Sequence, residues 1–403
     1  MLIWLKIESV EDITNNYNEI IPALELLATA CREGKHIIAG DRKAFESIAT
    51  SDHISKETQR LYANLNRLLP SLAPIRDELF TYVEVLCKTA NPTIDKSDGK
   101  YIIKLPINFF CDSYNVQRTF LLCENLDDAK FYDFIGMAYK RHMKMTHLFT
   151  KFEEVNGGGS TTASVYEQKA TSTRDERRLV LCILDSDKVA PNSSRGSTAN
   201  KVRTFHENNC VRLESLVSMK YHILECRELE NMIPFTYIQK AFDGDVNKPQ
   251  VIESLQKFHY DSLEGQDTNL EQAYLFLDIK EGTSLNKIIS KLKDSRDKTF
   301  WDEIAKKIIN NYLNCLANNS CSETPPKDSK GKKVLCSPCS ISLGLGSQTL
   351  EKINEWIAKN EKSILAEDVW NHLSPSQQSE WEKIGRLLVS WGAALSLSKD
   401  FTI

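Results

Sequence analysis

The sequence predicts an α/β protein in which a mostly parallel, Rossmann-like sheet is flanked by largely α-helical N- and C-terminal regions. Between residues 107 and 245, short apolar runs alternate with amphipathic stretches, which is the β-α-β order of a parallel sheet. On both sides of this segment, apolar residues recur mainly at helical spacing. These limits predict three domains, 1–106, 107–245 and 246–403.

The first region is predicted to be mainly helical. Apolar residues recur at helical spacing from Asn16 to Glu33 and from Lys56 to Val83, with an interruption at Pro70. The stretch Ala90–Lys100 is rich in turn residues and indicates a domain boundary. A short strand is predicted directly after it, at Tyr101–Ile107.

The central region contains four predicted strands: Thr119–Glu124, His147–Val155, Leu179–Leu184 and Tyr221–Cys226. Helices are predicted between them, at Asp127–Met143 and Thr198–Asn208. The second strand leads into Gly157-Gly158-Gly159, where glycine permits positive φ and close approach of the backbone. This turn suits either a tight connection or a phosphate contact at a helix N-terminus.

Carboxylates follow three of the four predicted strands. Glu124 ends the first strand, Asp185 and Asp187 directly follow the third, and Glu228 and Glu230 follow the fourth. The carboxyl ends of parallel strands meet at the edge of a sheet where ligands bind, and acids at i and i+2 can converge on a hard cation such as Mg²⁺. A solvated loop cap is the alternative interpretation of each pair.

The order of these pieces resembles a known family. Glu124, the Gly-Gly-Gly-Ser turn, Asp185-Ser-Asp187 and Arg227-Glu-Leu-Glu-Asn231 together are similar to the TOPRIM domain. The similarity is closest to overcoming-lysogenization-defect nucleases and to stand-alone TOPRIM nucleases of bacterial anti-phage systems. It covers about a quarter to a third of the chain. The first motif of that family is usually Glu-Gly followed by an acid. This chain has Glu124-Asn-Leu-Asp-Asp128 instead, without a glycine after the glutamate.

The resemblance implies a Mg²⁺- or Mn²⁺-dependent nuclease that cleaves DNA or RNA, and an effector role in anti-phage defence. Carried over residue by residue, its catalytic and metal-binding carboxylates would be Glu124, Asp128, Asp185, Asp187, Glu228 and Glu230. Glu124 would be a ligand or a general acid/base, and Glu228 or Glu230 would serve a second metal. TOPRIM domains also act as non-catalytic modules in recombination, so a binding or regulatory module remains the alternative.

A further strand is predicted at Ala273–Asp278, and it leads into Asp278-Ile-Lys280. A lysine beside a metal-bound phosphate stabilises the charge that develops in phosphoryl transfer. Lys280 is therefore a candidate catalytic residue, although the spacing of its acids does not match restriction-type nucleases.

Four cysteines close to one another predict a structural zinc site. Cys315, Cys321, Cys336 and Cys339 lie within 25 residues, and the last two form Cys-x-x-Cys. Four thiolates suit tetrahedral Zn²⁺, and such a closed site has no open position for catalysis. Unrelated reduced cysteines are the alternative.

The net charge of the chain does not favour binding to nucleic acid over its whole surface. Its 403 residues carry 51 basic and 55 acidic side chains, a net charge of −4, so contact with nucleic acid must be local. Candidate basic segments are Lys140–Lys144, Arg174, Arg177–Arg178 and Lys327–Lys333, each of which is also compatible with a solvated surface. No Walker A motif is present, so we expect a separate sensor or ATPase protein, or homo-oligomers, to regulate activity.

We expect a cytoplasmic protein. Met1–Lys6 is too short an apolar run for a signal peptide, and no run approaches the ~18 apolar residues of a membrane span. The 11 cysteines are an odd count, which favours reduced thiols over a disulfide framework.

Overall fold

The structure is a computed structural model. It describes residues 1–6, 17–87, 91–97, 99–172, 177–259, 268–289, 291–309, 339–365 and 367–394. The chain divides into two compact units, each built from separate segments. Unit 1 comprises residues 1–183, 201–222 and 382–403, and unit 2 comprises residues 184–200 and 223–381.

The secondary-structure elements have the following bounds. The strands are β1 Leu2–Lys6, β2 Ile37–Gly40, β3 Thr81–Leu86, β4 Thr93–Ser97, β5 Lys100–Pro106, β6 Phe120–Cys123, β7 Phe149–Thr150, β8 Glu153–Asn156, β9 Val180–Leu184, β10 Met219–Ile223, β11 Gly282–Ser284, β12 Ser340–Leu343 and β13 Ala393–Ala394. The α-helices are α1 Tyr17–Arg32, α2 Arg42–Thr50, α3 Lys56–Leu72, α4 Ile75–Glu78, α5 Leu126–His142, α6 Thr162–Thr171, α7 Ser197–Asn209, α8 Phe235–Ala241, α9 Pro249–Gln256, α10 Thr268–Tyr274, α11 Leu285–Ile289, α12 Ser295–Ile308, α13 Thr349–Ile364 and α14 Pro375–Gly392. Short 3-10 helices lie at Ile107–Cys111, Gly159–Thr161, Glu214–Ser218, Leu229–Met232 and Val369–His372.

The first sheet of unit 1 has five strands in the order β2-β1-β3-β5-β4. β1 runs parallel to both β2 and β3, β3 runs parallel to β5, and β4 closes the edge antiparallel to β5. The predicted strand before residue 107 is confirmed as β5, and the helices predicted from Asn16 and Lys56 are confirmed as α1 and α3.

The prediction that residues 1–106 form a mainly helical region is wrong, because β1, β2 and β3 were missed. These strands are only four to six residues long, and most of their side chains are buried on both faces. A short apolar run without alternation does not distinguish a buried strand from a piece of helix. For the same reason the helix predicted to reach Val83 ends at Leu72, and β3 begins at Thr81.

The second sheet of unit 1 has the order β10-β9-β6-β8, with β6 parallel to both β8 and β9. Three of the four strands predicted for the central region are present as β6, β9 and β10, and so are the intervening helices α5 and α7. The single strand predicted at His147–Val155 is wrong, because this segment is divided into β7, which pairs with β13, and β8, which joins the second sheet. The parallel pairing confirms the α/β class of this region. The triple glycine adopts the predicted positive φ at Gly158 and Gly159, and a 3-10 turn follows and leads into α6.

The end of α14 is hydrogen-bonded to the first and second sheets of unit 1. Ser390 Oγ accepts hydrogen bonds from the backbone N–H groups of Phe80 and Thr81, at 3.0 and 3.2 Å. Thr119 Oγ1, just before β6, donates to the Trp391 carbonyl at 2.8 Å. β13, which follows α14, pairs antiparallel with β7 in a third sheet of unit 1. The segment near residue 390 therefore completes unit 1, which sequence periodicity does not indicate.

Unit 2 is mainly helical, as predicted for the chain after Asn231, with a two-stranded antiparallel sheet of β11 and β12. Two of its largest side chains, Trp301 and Trp381, are fully buried. Each indole N–H donates to a backbone carbonyl, that of Val189 at 2.7 Å and that of Met232 at 2.9 Å respectively. These bonds hold α12 and α14 to the loops that follow β9 and β10.

The strand predicted at Ala273–Asp278 is wrong, because α10 ends at Tyr274 and turns follow. The segment is apolar because it is buried: Phe276 and Leu277 are at most 4% exposed. Its carbonyl groups are satisfied without a strand partner, since the Asn231 side chain donates to Tyr274 and Leu277 at 2.8 and 3.0 Å. The Asn231 side chain, distant in sequence, thus satisfies carbonyl groups that a neighbouring strand would satisfy in the predicted sheet.

Seven of the cysteines are not part of a disulfide: Cys31, Cys87, Cys111, Cys123, Cys182, Cys210 and Cys226. All but Cys111 and Cys210 are buried, as predicted for small residues packed among apolar side chains. Cys339 departs from the expected reduced thiols, because it is disulfide-bonded. Within the described part of the chain, no helix is long and apolar enough to cross a membrane.

Candidate functional site

Two loops of unit 2, one after β9 and one after β10, are hydrogen-bonded to each other. The Asp187 N–H donates to the Arg227 carbonyl at 2.9 Å, and the Leu229 N–H donates to Asp185 Oδ1 at 3.0 Å. Ser186 Oγ donates to the Cys226 carbonyl. The acids that the sequence places after the third and fourth predicted strands therefore lie in one cluster.

Asp187 has an unusual backbone conformation. Its φ is +54°, in the left-handed region that non-glycine residues rarely adopt, which costs about 1–3 kcal/mol. The following loop returns so closely that a Cβ at Gly196 would lie 2.1 Å from Asp187 Oδ2. Gly196 also donates its N–H to the Ser186 carbonyl at 2.8 Å. The fold thus holds this carboxylate in a strained position, which is a common property of functional sites.

The pKa of Asp187 is raised above its usual value. Although the residue is open to solvent on one side, the surrounding protein desolvates the carboxyl group, and the nearby Glu228 carboxylate adds to this effect. Arg227, Lys280 and Lys291 oppose it in part. A further positive charge beside Asp187 would favour its ionised form.

A third segment, residues 274–280, brings two more charged groups to the cluster. The Arg227 N–H donates to the Leu275 carbonyl at 2.8 Å, which fixes this segment against the loop after β10. Asp278 lies 2.7 Å from the Arg227 guanidinium, measured from Oδ2 to Nη2. Lys280 follows two residues later and faces Glu228 and Glu230.

The carboxylates of this segment and of the loop after β10 form a buried ion-pair network. Arg227 binds Glu228 at 3.0 Å in addition to Asp278, and the Lys280 Nζ lies 3.1 Å from Glu228 Oε2 and 3.2 Å from Glu230 Oε1. The three acids of the network are at most 7% exposed. Charges buried this deeply are tolerated because each has an opposite charge within bonding distance.

The network shifts the pKa values of its members. Burial raises the pKa of Glu230, and the Lys280 ammonium opposes that shift. Burial alone would lower the pKa of Lys280, but the negative charges of Glu230, Glu228 and Asp185 outweigh burial and raise it. Lys280 is therefore a firmly protonated cation placed between two carboxylates.

The structure thus brings together five predicted site residues in unit 2: Asp185, Asp187, Glu228, Glu230 and Lys280. Sequence reasoning missed the ion-pairing role of Arg227 and Asp278 and the anchoring role of Asn231. Asn231 accepts the Glu228 N–H at 2.9 Å through Oδ1, and it is fully buried. No local pattern signals the pairing of Arg227 with Asp278, 51 positions away, or the bond from Asn231 to the Tyr274 carbonyl, 43 positions away.

Glu124 and Asp128 belong to unit 1. Glu124 directly follows β6, the strand that pairs with β9, and its carbonyl accepts the Gly159 N–H at 3.0 Å. Asp128 Oδ2 accepts the Asn125 N–H at 3.0 Å, while Asn125 Oδ1 accepts the Asp128 N–H at 3.1 Å. This capping box gives Asp128 a structural role at the start of α5. Asn125, which directly follows Glu124, caps this helix.

No group of three or more His, Cys, Asp or Glu side chains within the described residues has an arrangement that could hold a metal ion. In unit 2 the reason is visible, because the side chains of Glu228 and Glu230 are directed at Lys280. Three of the predicted zinc ligands, Cys315, Cys321 and Cys336, lie outside the described residues. The fourth, Cys339, is buried and disulfide-bonded.

One of the predicted basic segments contains a structural arginine. Arg178 is buried, its Nη2 lies 2.6 Å from Glu153 Oε2, and its guanidinium stacks 3.6 Å from the centre of the Phe120 ring. It supports the edge of the second sheet and does not present its charge to nucleic acid. The segments at Arg174 and Lys327–Lys333 lie outside the described residues.

Comparison of the chain with family models, with curated proteins and with solved structures found no match.

Proposed function

We propose that the protein is a metal-dependent phosphodiester nuclease of the TOPRIM class that cleaves DNA or RNA. The observation that carries this proposal is the clustering of Asp185, Asp187, Glu228 and Glu230 in the loops that follow β9 and β10. Carboxylates gathered at the carboxyl end of a parallel sheet are the usual donors for Mg²⁺ or Mn²⁺ in phosphoryl chemistry.

The donors fit such a cation in kind, since carboxylate oxygens are hard ligands. Asp185 accepts the Leu229 N–H through Oδ1, which orients its carboxylate within the cluster. Asp187 has a raised pKa that a nearby cation would lower. These two acids would hold the metal, and a bound divalent cation would activate water and stabilise charge on phosphate. Glu124 remains the proposed third ligand or general acid/base.

Lys280 has a supporting role in this proposal. It neutralises Glu228 and Glu230, which would otherwise repel each other and Asp185. Its side chain is 31% exposed, so it can also contact a phosphate group. A protonated lysine beside a scissile phosphate stabilises the negative charge of the transition state.

A non-catalytic TOPRIM module, acting in recombination or in a regulatory complex, is the second candidate. One observation favours it: Glu228, Glu230 and Asp278 are already paired with Arg227 and Lys280. A network in which every carboxylate is already paired with a cation does not require a metal for its stability.

A cleavage assay separates the two candidates. Purified protein is incubated with plasmid, single-stranded DNA or tRNA in the presence of Mg²⁺, Mn²⁺ or EDTA. We expect cleavage with a divalent metal, and its loss in Asp185→Ala and in Glu124→Gln. Asp302→Asn, a change at a surface ion pair of α12, is the control that should cleave normally. No cleavage of any substrate, or wild-type rates in both variants, would favour the binding module.

We further propose that the nuclease is an effector in anti-phage defence and works with a partner or as a homo-oligomer. An active nuclease endangers its own cell, and this sequence contains no Walker A motif that would couple it to ATP. Light scattering and expression toxicity test this idea. A strict monomer that cleaves constitutively and is harmless when expressed alone would contradict it.

A further inference from the structure

A cavity of about 270 Å³ lies in unit 2 apart from the carboxylate cluster. None of the cluster residues named above lines it. Its volume is close to the lower limit for small-molecule sites, which is enough for a nucleobase with part of its sugar.

Aromatic rings form much of the wall. Phe235 and His259 contact each other with ring centroids 4.9 Å apart, and Tyr274 and His372 line other parts of the cavity. The Tyr274 hydroxyl is directed away to the Ile233 carbonyl at 3.3 Å, so its ring contributes an apolar surface. Walls of this kind favour a flat, stacking ligand.

One carboxylate supplies the polar edge. Glu271 is 9% exposed, and its Oε1 accepts the Ser376 N–H at the start of α14 at 3.4 Å. Among the described residues, no lysine or arginine forms an ion pair with it. An ionised carboxylate accepts hydrogen bonds and donates none, so a ligand in the cavity should present N–H groups to it.

The start of α14 argues against a fully cationic ligand. This helix has 18 residues and begins at Pro375, which lines the cavity, so the positive end of its dipole lies at the cavity wall, and its Ser376 N–H donates to Glu271. The helix end already balances part of the Glu271 charge. A neutral ring with adjacent N–H donors therefore fits better than an ammonium or guanidinium group. Glu271 also disfavours phosphate inside the cavity, which leaves any phosphate at the mouth.

The cavity is connected to the carboxylate cluster through Asn231. Gln377, which lines the cavity, donates from Nε2 to the Asn231 carbonyl at 2.9 Å. The Asn231 side chain in turn binds the Tyr274 carbonyl and the Glu228 N–H. One buried residue thus fixes both a cavity wall and the loop that holds Glu228.

We propose that this cavity binds a guanine base, which stacks between the aromatic walls and donates its N1–H and N2–H groups to Glu271. Guanine presents two neighbouring donors on one edge, which matches the two oxygens of a carboxylate. The base can come from a free nucleoside or from an unpaired position of a strand. This proposal goes beyond the nuclease function, since the site is separate from the carboxylate cluster.

Isothermal titration calorimetry in EDTA tests the proposal without any cleavage. Guanosine, inosine and adenosine are titrated into the full-length protein. We expect guanosine to bind best, inosine more weakly because it lacks the N2 amino group, and adenosine least. Glu271→Gln should weaken guanosine binding about 10- to 100-fold, because a charged hydrogen bond of ~1.5–3 kcal/mol is lost. Glu253→Gln, at an exposed position of α9, is the matched control.

A second variant tests the cavity independently, in case Glu271→Gln loses binding because it misfolds. Asn371 is exposed at the cavity wall, so Asn371→Trp should obstruct the cavity while leaving the fold intact. A short single-stranded oligonucleotide with one guanine tests the source of the base. If the oligonucleotide binds more tightly than guanosine, the natural ligand is a guanine within a strand. If it binds equally or more weakly, the natural ligand is a free nucleoside. The proposal is overturned if guanosine does not bind, if both variants bind it normally, or if arginine methyl ester binds in its place.

Discussion

Replacing Lys280 by methionine tests whether the buried network depends on this one cation. The variant removes the ammonium group that lies 3.1 Å from Glu228 and 3.2 Å from Glu230 and retains a side chain of similar length. Two carboxylates whose side chains are 10% and 4% exposed would lose their shared partner. We expect a folded but clearly less stable protein.

The size of the effect follows from these distances. At an effective dielectric constant of ~20, each contact of Lys280 corresponds to about 5 kcal/mol of Coulomb attraction. Most of this offsets the cost of desolvating the three groups, and the lysine is partly screened because 31% of its side chain is exposed. Removing one partner of a buried pair typically costs about 3–5 kcal/mol. Since Glu230 can take up a proton instead of remaining charged, we expect a loss near the lower end, ~3 kcal/mol at pH 8.

The loss should depend on pH, and its sign is fixed by Glu230. The pKa of Glu230 in the folded protein lies above its ordinary value of 4.5, so the folded state holds the proton more tightly than the unfolded state. Such a group contributes stability at low pH that is lost as the pH rises through its folded pKa. Without Lys280 this pKa rises further. The variant should therefore be closer in stability to the wild type at pH 5 than at pH 8.

Urea unfolding at both pH values, followed by circular dichroism, measures the difference. Lys306→Met is the control, because Lys306 pairs with Asp302 at an exposed position of α12, where such pairs contribute about 0–1 kcal/mol. The double variant Lys280→Met/Glu230→Gln should recover part of the stability. Equal stability of Lys280→Met and the wild type at pH 8, or a loss that is the same at both pH values, would refute the network.

Two further predictions concern the anchors of the structure. Asn231→Ala should lower the free energy of unfolding by about 3–5 kcal/mol, because three buried hydrogen bonds are lost at a fully buried position. A change under 1 kcal/mol in urea unfolding would contradict this prediction. Protein purified under reducing conditions should contain one zinc ion per chain, because reduction allows Cys339 to coordinate zinc together with Cys315, Cys321 and Cys336. Elemental analysis that finds no zinc would contradict the predicted zinc site.

The loops after β9 and β10, which carry four acids of the carboxylate cluster, could be predicted from the sequence because their signals are local, whereas the segment 274–280 could not. The run of apolar residues before Asp185 marks β9, and the acid that follows a buried strand is read directly from the chain. The same applies to the triple glycine, whose positive φ follows from the residue type.

Other features could not be predicted, because they depend on residues far apart in the chain. Gln377 reaches Asn231 across 146 positions, and Arg227 reaches Asp278 across 51. Short strands such as β2 are buried on both faces and lack the alternation that identifies a strand. Whether an acid remains free for a metal or is paired with a lysine depends on tertiary contacts, as Glu228 and Glu230 illustrate.

The proposed nuclease requires that Asp185 and Asp187 hold a divalent cation, and Mn²⁺ binding followed by electron paramagnetic resonance measures this most directly. Mn²⁺ prefers carboxylate oxygen to cysteine sulfur, so the predicted zinc site does not interfere. We expect at least one bound Mn²⁺ per chain in the wild type, loss of that ion in Asp185→Asn/Asp187→Asn, and normal binding in Asp302→Asn. Unchanged Mn²⁺ binding in the double variant, or none in the wild type, would contradict the proposed metal site.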